Sequence, residues 1–589
     1  MGIPSYFAHV LKKYPGVIKR LAELPCINNL YLDCNGMIYD VVRQMQYKPE
    51  EQAAYEAEML QRICESIDAC IAILNPSDRV FVAFDGVAPV AKLNQQRERR
   101  YKSWYLGEME AQRRRELSKA QVTAPKPAWN TSAITPGTKF MNALHKKLTE
   151  YYAANNSNNG NTPKIILSSS NEPGEGEHKL FEYIREHAAE HADKTTVIYG
   201  LDADLIMLCM SHLHISRGIY LYRETPEFVK SINVALDEKE RYYMDIPEFA
   251  DAITGTQVIA VALCPVNPPP TGTQEQQVAR GEPMGVWGAL VAPQLDYIFM
   301  CFMLGNDFMP HFPALNIRTT GIATLMEAHR AVFKPGESII QLHSATATDT
   351  ATATATDTAT NTAWPWSIHW PNYKKFVAHL AAQELTLIRK EHGTRDRQAR
   401  HMRDTDKEDD VMHDVLMLPM TQREVERHIN PFEPGWERRY YVSLCDIHDA
   451  DDKAVASLCR NYLEGMEWTF RYYTSGCVDW KWTYANHYPP LLADLVKHIP
   501  DQVNPFSFLS AKPKDPIRDV VQLCYVLPRA SHALLPPAAE RALMQSKLRS
   551  KYTDDGSPNF KWAYCKYFWE CHTDLPELDL EELAQIVSS

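Results

Sequence analysis

Residues 29–40 read Asn29-Leu30-Tyr31-Leu32-Asp33-Cys34-Asn35-Gly36-Met37-Ile38-Tyr39-Asp40, an apolar run that breaks at an aspartate. The same pattern returns three times in the first third of the chain. Val80-Phe81-Val82-Ala83-Phe84 runs into Asp85, and Lys164-Ile165-Ile166-Leu167 precedes a loop carrying Glu175 and Glu177. Val197-Ile198-Tyr199-Gly200-Leu201 then runs into Asp202 and Asp204. Apolar runs of strand length alternating with helical stretches predict an α/β domain, a mostly parallel twisted sheet flanked by helices. In such a sheet the carboxyl ends of the strands form one rim, and ligands bind in the crevice outside it. Carboxylates gathered there cannot all stay ionised without a cation. The pattern therefore points to divalent metal and phosphate chemistry.

Each acid also has a local explanation. An aspartate after a strand often caps the next helix, and Asp33 and Asp85 sit beside Asn35-Gly36 and Gly86, where turn chemistry applies. Asp204 has the helix Leu205–Met210 to cap. Taken together the acids are harder to explain locally. An extended Asp202-Ala203-Asp204 turns both carboxylates to one side. Gly174 and Gly176, flanking Glu175, permit close approach of a metal or phosphate. The apolar run from Tyr297 to Leu304 breaks at Gly305-Asn306-Asp307, adding a carboxylate at the end of a buried helix. These seven acids suit two cations about 3.5–4 Å apart, with Mg²⁺ or Mn²⁺ as the hard ions that prefer such oxygens.

Between the second and third runs lies a basic helix, Lys92-Leu93-Asn94-Gln95-Gln96-Arg97-Glu98-Arg99-Arg100-Tyr101-Lys102, followed by Arg113-Arg114-Arg115. Positions 92, 96, 99 and 100 share one helical face. A charge run is ordinarily a solvated face, but these four form a donor cluster with no acid among them. Such donors suit a terminal phosphate, and a 5′-phosphate pocket beside a two-metal rim describes an exonuclease that reads the chain end.

The chain has 589 residues, 45% hydrophobic and 10% aromatic, and a formal net charge of −12. The length predicts about two to four domains. The acidic balance speaks against a nucleic-acid partner on average, but local distribution decides the site. Thirteen cysteines without CxxC or His/Cys spacing indicate neither a disulfide framework nor a zinc site, and predict a reducing, intracellular location. The N-terminus has no signal design, and Tyr6 weakens its likeness to a myristoylation site. No apolar run reaches transmembrane length.

Helical periodicity covers Pro49–Leu74, Gln95–Ala120, Phe140–Ala153 and Asn372–Glu391, while Asn155–Thr162 and Thr254–Pro283 have the composition of inserted loops. The low-complexity stretch Ser344–Thr362 predicts a disordered linker. Arg395–Asp410 reads as solvated and mobile, and from Pro431 the chain is aromatic-rich and folded again. The organisation expected is a catalytic nuclease block over 1–343, a linker over 344–363 and a second block over 364–589.

These residues also resemble a known family, the XRN (Pacman-type) 5′→3′ exoribonucleases. The resemblance rests, in order, on MGIPSYF with YPGVI, NNLYLDCNGMIYD, VFVAFDGVAPVAKLNQQRERR, ITPGTKFM, EPGEGEHKLFEYIR, YGLDADLIML and LGNDFMPHFP. It continues through YLEGMEWTFRYYTSGCVDWKWTYANHYPP and PIRDVVQLCYVLPRASHALLPP. It implies a PIN/FEN-like nuclease core with a second, largely helical, aromatic-rich block packed against it. It implies processive hydrolysis of 5′-monophosphorylated, decapped single-stranded RNA to 5′-mononucleotides, with capped ends rejected. Asp33, Asp85, Glu175, Glu177, Asp202, Asp204 and Asp307 match its metal-binding acids, holding two Mg²⁺ or Mn²⁺ ions. Lys92, Gln96, Arg99 and Arg100 match its 5′-phosphate pocket. An aromatic clamp on the first bases corresponds to Tyr39, where the family has His, and to Trp480 or Trp482. Val90 stands where many relatives are basic, and the sequence stops soon after the second block, without the C-terminal extension of the large cytoplasmic members. A monomer in the cytoplasm or nucleus, working with decapping factors and without a membrane, is the matching expectation. The rival readings are a flap- or structure-specific DNA endonuclease and an inactive RNA-binding scaffold.

Overall fold

The structure is a computed structural model that describes residues 3, 5–117, 128–155, 163–223, 237, 240–255, 284–342, 366–405, 411–448, 451–502, 507–509, 515–552 and 559–588. The expected linker, most of the two inserted loops, Met1-Gly2 and the side chains of Arg113, Arg114 and Arg115 lie outside the described residues.

Seven strands form the main sheet: β1 (Ile18–Arg20), β2 (Asn29–Asp33), β3 (Arg79–Ala83), β4 (Lys164–Ser168), β5 (Thr195–Tyr199), β6 (Gly218–Tyr222) and β7 (Tyr242–Asp245). Their order is β1-β7-β6-β5-β2-β3-β4. Strands β6, β5, β2, β3 and β4 run parallel, and β7 and β1 add an antiparallel edge. The chain builds rightwards from β2 through β3 to β4, then returns to β5 on the other side of β2. The order reverses beside β2, which is where an open sheet of this kind opens its crevice.

Side chains alternate across the sheet, and both faces are covered, as a parallel sheet requires. Leu30, Leu32, Val80, Val82, Val197 and Tyr199 join a core with the helices Asn35–Gln44, Gln52–Leu74 and Lys139–Asn155. Tyr31, Phe81 and Ile198 face a larger core with the helices Gly176–Glu186, Asp204–Ser211 and Met284–Cys301. That larger core continues without a break into the second block through Trp370, Tyr440, Trp468 and Tyr473. The second block is largely helical, with the long helices Glu384–Thr405 and Asp452–Thr474. Here the reading of Arg395–Asp410 as a solvated stretch is corrected at its start, its last five residues lying outside the described residues. Arg395 is 2% exposed, sits in the helix Glu384–Thr405, and donates to both oxygens of Glu426 and to the Cys565 carbonyl at 2.8 Å. The charge is buried because a carboxylate and a carbonyl satisfy it from elements far along the chain.

A third apolar cluster forms where the basic helix, Val90–Leu117, meets the end of the chain. Ala88 and Leu93 pack with Leu523, Val526, Leu543 and Leu583. The Val90 N–H donates to the Trp480 carbonyl at 2.9 Å, Ala88 N–H to Gln522 Oε1 at 3.2 Å, and Asn94 Nδ2 to Thr483 Oγ1 at 2.7 Å. The second block thus fixes the helix that carries the basic face. Among the described residues no helix is long and apolar enough to cross a membrane.

Candidate active site

The acids converge where the topology predicts. Asp33 is the last residue of β2, Asp85 follows β3, Glu175 precedes the helix Gly176–Glu186 after β4, and Asp202 and Asp204 follow β5. One cleft of about 280 Å³ is lined by Asp33, Asp85, Glu175, Glu177 and Asp202 together with Lys92, Gln96, Arg99, Arg100 and Tyr39. Asp204 and Asp307 are not among the residues that line the cleft but adjoin it through Lys92: both act electrostatically on Lys92, whose ammonium lies 2.7 Å from Asp307 Oδ2 and is also bonded to Glu175. The extended reading of Asp202-Ala203-Asp204 is corrected. The strand stops at Tyr199, residues 201–203 turn, and Asp204 begins the helix Asp204–Ser211 without a side-chain cap. A tight turn, and not strand periodicity, brings the two carboxylates to one place.

Local chemistry holds these side chains. Asn35 Nδ2 donates to Asp85 Oδ2 at 2.5 Å, Asp85 N–H returns a bond to Asn35 Oδ1 at 3.1 Å, and Gly176 N–H donates to Asp85 Oδ1 at 2.7 Å. Gly176 is required by close approach: a Cβ there would lie 2.7 Å from Asp33 Oδ1. Gly305 takes φ +85°, where a side chain is strained, so the chain can turn out of the buried helix. Asn306 Oδ1 then accepts from the N–H groups of Phe308 and Met309, both at 2.9 Å, which sets Asp307 in place. Lys179 Nζ donates to the carbonyls of Phe84 and Ser169 at 2.9 and 2.7 Å, tying the ends of β3 and β4.

The electrostatics call for positive charge. Burial, with Asp85 and Asp202 beside it, pushes the Asp33 carboxyl well above the ordinary range. Burial and Asp204 do the same to Glu177, and burial with Asp307 nearby pushes Asp204 up to about 7. Burial raises Glu175 as well, against the pull of Lys92. Asp307 moves the other way: against the effect of burial, Lys92 holds it below the usual carboxylate range. Asp33 Oδ1, Glu177 Oε2 and Asp204 Oδ1 are buried without a hydrogen bond. Buried carboxylate oxygens without hydrogen bonds, two of them on residues that line the cleft, are the donor type that hard divalent cations take, so these residues fit Mg²⁺ or Mn²⁺.

The basic wall is prepared for an anion. Arg100 donates to the Gln96 carbonyl at 3.2 Å and to Thr135 Oγ1 at 2.7 Å. Burial, with Arg99 beside it, lowers Arg100 to about 10. Among the described residues neither arginine has a carboxylate partner. Trp482 and Trp480 part company. Trp482 is 8% exposed and stacks on Trp468 at 5.0 Å, while Trp480 is half-buried. Trp482 is therefore core packing, and Trp480 is the candidate for stacking. Val90 is buried in the joint with Trp480, so its departure from a basic residue suits packing there.

Tyr472 is a site residue that sequence reasoning missed. Its hydroxyl donates to Glu175 Oε1 at 2.9 Å, and its ring stacks on His178 at 3.7 Å. The second block thereby touches the acid cluster directly. It lies in the FRYYTSG segment, which carried part of the family resemblance but no reading of its own.

Comparison with known proteins agrees with this architecture. The domain described as "XRN 5'-3' exonuclease N-terminus" matches residues 1–225, and "Xrn1 helical domain" matches residues 295–430 and 390–589. The chain belongs to the XRN 5′→3′ exonuclease family. It is 29% identical over 678 residues to "5'-3' exoribonuclease 2" of Gallus gallus, covering 99% of this chain and 69% of that protein. It is 27% identical over 665 residues to "5'-3' exoribonuclease 2 homolog" of Drosophila melanogaster, covering 99% and 70%. With "5'-3' exoribonuclease 1" of Homo sapiens it shares 25% identity, covering 100% of this chain and 34% of the human protein. A solved structure described as "The catalytic core of Rad2 in complex with DNA substrate (complex III)" shares 13% identity, covers 56% of this chain and 69% of that one, and has a TM-score of 0.27. That likeness is too distant to inform the site.

Proposed function

We propose that this XRN-family protein is a processive 5′→3′ exoribonuclease acting on single-stranded RNA with a 5′-monophosphate. One observation carries the reading: two arginines without acid partners and a buried acid cluster line the same cleft. Asp33, Asp85, Glu175, Glu177, Asp202, Asp204 and Asp307 would hold two Mg²⁺ or Mn²⁺ ions. When bound, such ions stabilise charge on the scissile phosphate and lower the pKa of a coordinated water. Lys92, Gln96, Arg99 and Arg100 bind the terminal phosphate and fix how far the chain enters. Tyr39 and Trp480 stack on the first bases, a contact worth about 1–3 kcal/mol per base and indifferent to sequence.

Cleavage of the P–O3′ bond releases a nucleoside 5′-monophosphate and gives the remaining chain a new 5′-phosphate. Each cycle regenerates the group that the basic wall binds, which accounts for processivity. A cap or triphosphate places further bulk and charge where the cleft closes. Decapped messages are then the natural substrate, with decapping enzymes as functional neighbours, a monomer as the working form and the cytoplasm as its setting.

The test is incubation of the full chain with Mg²⁺ and 5′-monophosphate, 5′-hydroxyl, triphosphate or capped RNA, products resolved by size. Mononucleotides from the monophosphate substrate alone are expected. Internal cutting of a 5′-blocked RNA or DNA flap would instead identify an endonuclease, and no cleavage of any substrate would leave a binding scaffold.

A further inference from the structure

On a different side of the basic helix, Glu98 meets two histidines from distant parts of the chain. His487 comes from the segment after the helix Asp452–Thr474. His572 comes from the short hairpin of Asn559–Lys561 with His572–Asp574. One ligand atom of each of the three side chains lies within 4.8 Å of the other two. The imidazole rings are nearly parallel, 28° apart with centroids 5.1 Å from each other. His487 Nδ1 is 3.8 Å from Glu98 Oε1, near it but beyond hydrogen-bond reach.

The surroundings orient these groups inward. His487 Nε2 bonds Asp574 Oδ1 at 3.0 Å, which assigns the ring proton to Nε2 and leaves the Nδ1 lone pair facing Glu98. A carboxylate behind a histidine is the usual support of a metal ligand. Asp574 is itself held by Asn559 Nδ2 at 3.0 Å. The other Glu98 oxygen lies 3.6 Å from Lys102 Nζ. That ammonium also donates to the carbonyls of Trp569 at 3.1 Å and Cys571 at 2.6 Å, binding the His572 strand to the helix. Among the described residues no hydrogen bond satisfies the His572 ring.

We propose that Glu98, His487 and His572 form a second metal site, for an ion of the zinc class, that staples the basic helix to the second block. Two imidazoles and one carboxylate are a borderline-soft donor set that selects Zn²⁺ over Mg²⁺, unlike the all-carboxylate cluster in the cleft. Bond lengths of about 2.0–2.2 Å put tetrahedral ligands about 3.4 Å apart. The three partly exposed side chains reach that spacing from separations within 4.8 Å by closing at most about 1.4 Å. Water takes the fourth position. A stacked histidine pair with an acid beside it is the alternative, in which the cluster only packs.

The test uses the full chain, dialysed with Zn²⁺ against excess Mg²⁺ so that the acid cluster is filled by the harder ion. One Zn²⁺ per chain should remain, Zn²⁺ should raise the melting temperature, and Co²⁺ should give the intense visible bands of a tetrahedral nitrogen-ligated ion. The His487→Gln/His572→Gln variant should lose all three, and Asp574→Asn should weaken Zn²⁺ binding about 10–100-fold. No Zn²⁺ retained by the unaltered chain, or equal retention by the double variant, overturns the proposal. If the double variant does not fold, modification of the unaltered chain by diethylpyrocarbonate decides. Zn²⁺ should shield His487 and His572, and equal labelling with and without Zn²⁺ refutes the site.

Discussion

Replacing Arg99 with alanine isolates the phosphate pocket from the stability of the fold. Among the described residues the Arg99 side chain makes no hydrogen bond or ion pair, and its charge disfavours that of buried Arg100, so its removal should not lower the melting temperature. Its charge nevertheless acts on the pocket. Burial and Arg99 lower Arg100 from 12.5 to about 10, a difference equivalent to ~3 kcal/mol against the charged form. A phosphate beside the two arginines compensates their buried charge and gains charge-assisted bonds worth about 1.5–3 kcal/mol each. Arg99→Ala loses one such donor, so the preference in kcat/KM for 5′-monophosphate over 5′-hydroxyl RNA should fall about 10–150-fold. The expected loss sits at the lower end, because Arg100 is relaxed at the same time. The assay compares the two RNAs, identical in sequence, at one Mg²⁺ concentration. A ratio unchanged within about twofold, an energy near 0.4 kcal/mol, would refute the pocket.

Asp204→Asn should reduce cleavage by at least about 10³-fold, ~4 kcal/mol of transition-state stabilisation, while RNA binding by filter retention persists. The same variant reads the linkage. Asp204 is raised to about 7, so its protonated form favours the metal-free fold below pH ~4, the unfolded value, and that stability is lost as pH rises through about 7. In chelator, Asp204→Asn should therefore melt higher than the unaltered chain at pH 8 and equally at pH 4, and Mg²⁺ should cancel the difference; a difference of opposite sign would contradict the cluster. Trp482→Ala should cost about 3–5 kcal/mol of stability, whereas Trp480→Ala should shorten processive runs with little change in melting; the reverse pattern would exchange their roles. Tyr472→Phe removes the donor to Glu175 and should raise the Mg²⁺ concentration for half-maximal activity about 10–100-fold, an effect absent if the ring only packs.

The sheet and its acidic rim were legible because both are local patterns. A strand that ends in an acid needs only its own residues to be read, and Asp33 and Asp85 lie at strand ends as read. The face shared by Lys92, Gln96, Arg99 and Arg100 followed from helical spacing alone. What escaped reading depends on contacts between separate elements, from tens to hundreds of residues apart. Arg395 looked solvated because its partner Glu426 sits on another helix. Tyr472 gave no signal of its own, because its partner Glu175 lies 297 positions away. The choice between Trp480 and Trp482 turned on Trp468, whose ring is one neighbour among many in the sequence. The geometry of Asp202 and Asp204 was misread for a different reason: a turn of three residues competes with an extended strand, and periodicity cannot separate them.

The joint between the basic helix and the second block has a consequence for timing. The Val90 N–H and Asn94 wait for partners at positions 480 and 483, and Ala88 for one at 522. Chains emerge from the ribosome N-terminal end first, at about 5–20 residues per second. A growing chain therefore spends on the order of half a minute with its main sheet complete and its basic helix unanchored. During that interval the basic helix lacks its partners, and it takes its final place only after residues 480–522 have been made.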